Sequence, residues 1–157
     1  TIPAQALVER TLRYPGHLAA MRVLSDAGFF DTVPVRAGEQ LMSPRQLTAA
    51  LLFPQWQYAP GERDLTVLRV EVSGRDADGH PRATAWRLVD RPDATSPLSS
   101  MARTTGCPAA ICARWLVDGR LSEPGIHPPE RLGLDGHAPA MLAALAARDI
   151  HVEAILG

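Results

Sequence analysis

Lysine is absent from this chain: all 16 of its basic residues are arginine. No side-chain amine is therefore present to form a Schiff base or to serve as a tuned base, and either role would have to come from elsewhere. Also missing is any Gly-x-Gly-x-x-Gly turn, which removes the pyrophosphate cradle of a dinucleotide-binding unit from these residues. Cysteine is scarce. Cys107 and Cys112 are spaced for different faces of a helix and fit neither a Cys-x-x-Cys redox pair nor a zinc knuckle, so two free, mostly buried thiols in a reducing, cytoplasmic setting are expected. The longest apolar run, residues 138–147, is broken by Pro139 and falls well short of the ~20 residues that span a bilayer.

Charge is nearly balanced, at −1 formally, and the charged residues are scattered. Such a surface generates no long-range field, so neither nucleic acid nor a membrane is expected as a partner. His80, His127, His137 and His151 show no His-x-x-x-His or His/carboxylate ligand spacing, and no metal site is expected. A Gly-x-Ser-x-Gly elbow is absent as well. The opening Thr-Ile-Pro-Ala-Gln carries no initiator methionine and no secretory pattern, and reads as an internal cut, so the chain is expected to be a fragment.

With 157 residues, nearly half of them apolar, the chain can bury roughly two-thirds of its unfolded surface and is expected to form one domain over residues 1–157. Residues 8–14, rich in β-formers and stopped by Pro15-Gly16, predict a strand that delivers Arg13 and Tyr14 to its end. A helix should follow over residues 17–27, with Gly28 as its left-handed terminator. Residues 32–42, holding Pro34 and Gly38, show little periodicity and predict a loop. Ser43-Pro44 should then open a second helix that ends at Pro54.

Residues 65–73 and 82–90 alternate and flank an Asp78-Gly79 turn, the strongest local hairpin signal. A shift of apolar phase between Val67 and Leu68 predicts either a bulge or a strand covered on both faces. A third helix is expected over residues 99–117, kinked or restarted by Pro108 and closed by Asp118-Gly119. After a short extended piece over residues 125–129, a fourth helix is expected near residues 138–147, and residues 151–156 should form a closing strand. One sure hairpin and no regular β-α-β beat define the expected class as α+β, with a mixed, largely antiparallel sheet and helices mainly on one face. The hairpin's free edge could pair with a second copy, so a homodimer is expected.

Two stretches are too particular for packing alone: Thr11-Leu12-Arg13-Tyr14-Pro15-Gly16-His17, and residues 99–111, Ser-Ser-Met-Ala-Arg-Thr-Thr-Gly-Cys-Pro-Ala-Ala-Ile. A strand-end arginine held by Pro-Gly offers a planar fork for a carboxylate, against the alternative of half a surface ion pair. Tyr14 and His17 could donate hydrogen bonds or exchange a proton near neutral pH, or else pack a ring and cap a helix. Arg103, Thr104, Thr105 and Gly106 offer one cation, two hydroxyls and an open backbone position suited to the polar end of a ligand, or they cap the helix that Pro108 restarts. Asp90-Arg91 suits a structural ion pair, and Pro128-Pro129-Glu130 a strand stop and turn.

Both stretches resemble the carboxy-terminal half of the saccharopine dehydrogenase family, whose relatives include lysine 6-dehydrogenase-like enzymes. The resemblance covers roughly residues 9–152, although Cys107 stands where that family commonly has an aromatic residue and residues 93–98 depart from its pattern. It implies an oxidoreductase acting on an amino-acid carbon–nitrogen bond, with NAD or NADP bound mainly by a domain absent here. Arg13 would grip a substrate carboxylate, and Tyr14, His17, Arg103, Thr104 and Thr105 would line the substrate side, the isolated chain being inactive. The alternatives are a non-catalytic dimerisation module of such an enzyme, or a family member with a different reaction.

Overall fold

The computed structural model describes residues 4–92 and 96–156. The middle of the connection between the hairpin and the third helix therefore lies outside the described residues, as does the very start of the chain. Two compact units are present, residues 2–59 and residues 60–157.

In the first unit, α1 (His17–Asp26) ends in a Schellman motif. The Phe29 N–H donates to the Leu24 carbonyl at 2.9 Å and the Gly28 N–H to Ser25 at 2.9 Å. Gly28 supplies the left-handed backbone at φ +81°, as its position after the apolar stripe predicts. The expected loop over residues 32–42 is instead a hairpin, β1 (Val35–Ala37) against β2 (Gln40–Met42). Its two-residue connection places Gly38 first, at φ +63°, as a type II′ turn requires. Three-residue strands are too short to show a period, which is why the pattern reads as a loop. Next comes α2 (Pro44–Leu52), with Pro44 in its first turn as expected. Pro54 does not stop the chain abruptly but sits in a 3-10 turn, Phe53–Trp56. Thr48 ties the unit together, its hydroxyl donating to the Phe29 carbonyl at 2.9 Å.

No strand forms over residues 8–14. Its β-formers have no ladder to join among the described residues, and a lone extended segment cannot satisfy its backbone by itself. Leu7, Val8, Leu12 and Tyr14 all point to solvent.

The second unit is built on the predicted hairpin, β3 (Thr66–Arg75) and β4 (Pro81–Asp90), paired in one unbroken register from Thr66 opposite Asp90 to Arg75 opposite Pro81. At the turn, the Asp76 N–H donates to His80 and the Gly79 N–H to Asp76, each at 3.0 Å. The Asp76 carboxylate also accepts the N–H groups of Asp78 and His80 at 3.1 and 2.9 Å, so a single aspartate closes the turn from both main chain and side chain. Neither a bulge nor a two-sided cover explains the apolar phase of β3. Val67, Leu68, Val70 and Val72 are all exposed, so neither face of β3 is covered along these residues. The irregularity of the sheet lies elsewhere, between Ala85 and Trp86, where β4 meets β5 (Val152–Leu156).

Helix α3 (Ser100–Val117) runs uninterrupted through Pro108 and closes at Asp118-Gly119. Its Ile111 and Trp115 join Leu88 of β4, Leu145 of α5 (Ala138–Ala146) and Ile150 in the buried core. The antiparallel sheet with α3 and α5 against it is the expected α+β arrangement. Residues 125–129 form no strand. Glu130 lies in a turn, as expected, and a four-residue helix, α4 (Arg131–Leu134), follows it directly. Both cysteines are free and half-buried.

The start of α3 is fastened by an acid from far back in the chain. Asp64 accepts the N–H of Ser100 and, at 2.7 Å, the N–H of Met101, two of the donors that a helix N-terminus leaves unpaired. Partial burial pushes its carboxyl up, but the bonds from Met101, Ser100 and its own N–H, helped by nearby Arg63, outweigh that and hold it below the usual carboxylate range. The folded state thus keeps Asp64 ionised at a pH where the unfolded chain has begun to protonate it. Its contribution is present above the ordinary carboxylate value and is lost as pH falls. Unfolding midpoints measured against pH should fall on acidification below about pH 4, and the Asp64→Asn variant should show a shallower acid limb.

Candidate functional site

The six residues singled out by sequence fall in two clusters, one on each unit. Arg13 and Tyr14 precede α1 in the Pro15-Gly16 turn, where Gly16 takes φ +86° and the His17 N–H donates to the Tyr14 carbonyl at 3.1 Å. Proline fixes one dihedral of this turn and glycine alone takes the next without strain, so the approach to the helix is well defined. Tyr14 is 88% exposed, and its ring is not packed as the alternative would have it. His17 is half-buried at the first position of α1, and no side chain caps that helix. Arg13 is exposed, and the hydrogen bond of its guanidinium is to the neighbouring Leu12 carbonyl at 3.1 Å. Among the described residues no carboxylate pairs with it, so the surface ion pair that would make it unremarkable is absent.

The second cluster occupies the first turns of α3, and its groups are already engaged. Only 14% of the Arg103 side chain is exposed. Its guanidinium donates to the carbonyls of Arg148 and Asp149 at 2.7 and 3.2 Å and stands 3.5 Å from the Asp90 carboxylate. Those carbonyls belong to the turn that closes α5, where Asp149 adopts φ +56°, and a cation there also meets the negative end of the helix. The Arg103 Nε is buried without a partner. Thr104 folds its hydroxyl back onto the Ser100 carbonyl at 2.9 Å, and Thr105 turns toward the Met101 sulfur at 3.8 Å. Gly106 leaves open space beside its backbone.

Asp90, as expected of a structural ion pair, is the partner of a cation, although that cation is Arg103 rather than an immediate neighbour. Ser100, fully buried, holds its hydroxyl 2.6 Å from Asp90 Oδ2 and 2.8 Å from the Thr66 hydroxyl. With one proton, Ser100 donates to the charged oxygen and is able to accept from Thr66, a charge-assisted bond in a dry setting. Sequence reasoning passed over Asp64 and Ser100, because no local spacing links residues 34 to 36 positions apart. It also passed over the Asp-x-Asp-x-His spacing of Asp76, Asp78 and His80, whose ligand atoms lie within 4.8 Å of one another. Asp76 already serves the turn N–H groups and Arg82.

A three-stranded antiparallel sheet with helices packed on it in one unit, and an exposed arginine turn in the other, make this an α+β protein. The chain belongs to the saccharopine dehydrogenase C-terminal domain family, whose model matches residues 1–150. It is 34% identical over 94 residues to bovine mitochondrial alpha-aminoadipic semialdehyde synthase, covering 58% of this chain and 10% of that protein. It is 37% identical over 73 residues to the NADP(+), L-glutamate-forming saccharopine dehydrogenase of Saccharomyces cerevisiae, covering 46% of this chain and 16% of that one. The corresponding enzyme of Schizosaccharomyces pombe is 26% identical over 126 residues, 80% of this chain and 26% of that protein. The chain therefore spans between about a tenth and a quarter of these relatives. No helix among the described residues is long and apolar enough to cross a membrane.

Removing Arg103 would strand a buried carboxylate, a change that typically costs about 3–5 kcal/mol. Arg103→Ala should lower unfolding stability by that order in chemical denaturation. Adding Asp90→Asn should recover part of the loss, since the amide carries no charge to leave unpaired. A double variant as unstable as the sum of the two singles would show that the two side chains do not act together.

Proposed function

We propose that this chain is the substrate-facing carboxy-terminal part of an NAD(P)-dependent oxidoreductase acting on an amino-acid carbon–nitrogen bond, with saccharopine or a lysine-like amino acid as substrate. Membership of the family supports the reaction class, and the names of the yeast relatives support the substrate and cofactor. The observation that carries the reading is the Arg13 turn: a guanidinium carried beside a Pro-Gly turn, open to solvent, with no acid paired to it among the described residues. A planar fork of this kind suits the carboxylate that every amino-acid substrate presents.

Tyr14 and His17 flank the same turn and offer a phenol and an imidazole, one to donate a hydrogen bond and the other to exchange a proton near neutral pH. Arg103 contributes by position, fixing the start of α3 to the sheet so that Thr105 and the open backbone at Gly106 are presented on a fixed surface. The described residues do not fit a nicotinamide dinucleotide. They form antiparallel ladders and hold no glycine-rich turn between a strand and a helix, so this chain is assigned no part in gripping the cofactor and no turnover alone. The free thiols Cys107 and Cys112 support a reducing compartment, the cytoplasm in this reading.

Steady-state kinetics of the full-length enzyme with saccharopine and with lysine test the assignment. Losing a hydrogen-bonded charge at about 1.5–3 kcal/mol should raise KM by about 10- to 150-fold in Arg13→Ala. Arg13→Lys, which keeps the charge and loses the fork, should fall between. An unchanged KM in Arg13→Ala would remove the carboxylate grip, and absence of turnover with any amino-acid substrate would remove the reaction class.

A further inference from the structure

We propose that Glu9 completes the Arg13 site by receiving a second, cationic nitrogen at the far end of the ligand, so that the site selects amino acids of the lysine type. The inference rests on the reading of Arg13 as the carboxylate grip, and extends to the end of the ligand that this arginine does not touch.

Residues 6–14 carry neither helix nor turn, and side chains alternate along an extended chain, so positions 9, 11 and 13 share one side. The Thr11 hydroxyl donates to Glu9 Oε1 at 3.0 Å, which places the first two of them together directly. Val8, Arg10, Leu12 and Tyr14 fall on the opposite side. One edge of the segment therefore presents a carboxylate, a hydroxyl and a guanidinium in that order, and all three residues are exposed.

The two charges are opposite but do not meet. Four steps of extended chain hold their Cα atoms about 13 Å apart, too far for direct pairing. Among the described residues Glu9 bonds to the Thr11 hydroxyl and Arg13 to the Leu12 carbonyl, and no ion pair engages either. A guanidinium carries five N–H donors and a carboxylate roughly four acceptor sites, so each keeps most of its capacity after that one bond. Thr11 also fixes the direction of the Glu9 carboxylate, which a lone exposed glutamate would leave free to rotate.

The spacing selects the ligand. Side chains stand roughly perpendicular to an extended chain, so the separation of the Cα atoms carries over to the charged ends. With a charge-assisted hydrogen bond of about 2.8 Å at either end, on the order of 7 Å is left between the two charges of the ligand. The α-ammonium of an amino acid sits on the carbon next to its carboxylate and cannot reach across. An ammonium at the end of a four-carbon stem, as in lysine, can. A second carboxylate in that place would meet Glu9 with like charge and be rejected.

Calorimetric titration of the full-length enzyme with lysine, norleucine and 2-aminoadipate tests the inference. Norleucine keeps the stem without the distal ammonium, and 2-aminoadipate carries a carboxylate there. The parent should bind lysine roughly five- to tenfold more tightly than norleucine, with 2-aminoadipate weakest. Glu9→Gln should bring lysine down to the level of norleucine while leaving norleucine unchanged, and Glu9→Lys should place 2-aminoadipate above lysine. Thr11 is a positioning residue: Thr11→Val should narrow the lysine-to-norleucine ratio, and Thr11→Ser should restore it. Arg13→Ala, by contrast, should weaken all three ligands alike. Equal binding of lysine and norleucine by the parent, or an unchanged preference in Glu9→Gln, would overturn the role of Glu9, and a uniform loss in Arg13→Ala would then leave the carboxylate grip standing. No effect of Arg13→Ala, or no binding of any of the three, would overturn both.

Discussion

A buried carboxylate holds the second unit in register. Asp90 ends β4 with almost no access to water, and an ion in that setting must be fully bonded or it destabilises its surroundings. Ser100 and Arg103 meet that demand from one side, both on the first turn of α3, while Thr66 approaches Ser100 from the start of β3. The helix therefore has one axial position in which these bonds are made together. That position determines which of its residues reach the apolar layer of Leu88, Leu145 and Ile150. Arg103 carries the constraint one element further by gripping the carbonyls that close α5. A polar contact of a few atoms thus sets the alignment of a strand, a long helix and a short one.

Much of this was readable in one dimension. The Asp-Gly hairpin, the glycine that stops α1, the proline that opens α2 and the closing strand all depend on neighbours within a few positions, and each formed where the pattern placed it. The strand expected over residues 8–14 failed for the opposite reason. Its composition is that of a strand, but a strand is completed by its partner, and composition carries no information about whether one is present. The hairpin of residues 35–42 was missed because each arm is shorter than the period needed to reveal it. Asp64 was silent in the sequence because the donors it satisfies belong to a helix that begins more than thirty residues later.

The two arginines of the candidate site show how similar expectations separate once packing is known. In sequence, Arg13 and Arg103 are both single cations beside small or polar residues. In the fold, one projects beside a Pro-Gly turn with no acid paired to it among the described residues, and the other is enclosed between a carboxylate and a helix end. The first keeps its bonding capacity for something outside the chain, whereas the second has already used most of it within the domain. Under the proposed function, the outside partner is an amino-acid carboxylate and Arg13 is the arginine that would receive it.

Pro108 divides α3 into portions of different character. With no N–H at that position, the carbonyl four residues earlier loses its usual partner. The portion before it is anchored by ions and hydroxyls, and the portion after it by Ile111 and Trp115. Acid would loosen the first by protonating Asp64, while urea would loosen the second by solvating its indole and aliphatic surface. One rod thus has two independent points of failure, and an amide-exchange map recorded under each stress would show the helix fraying from opposite ends.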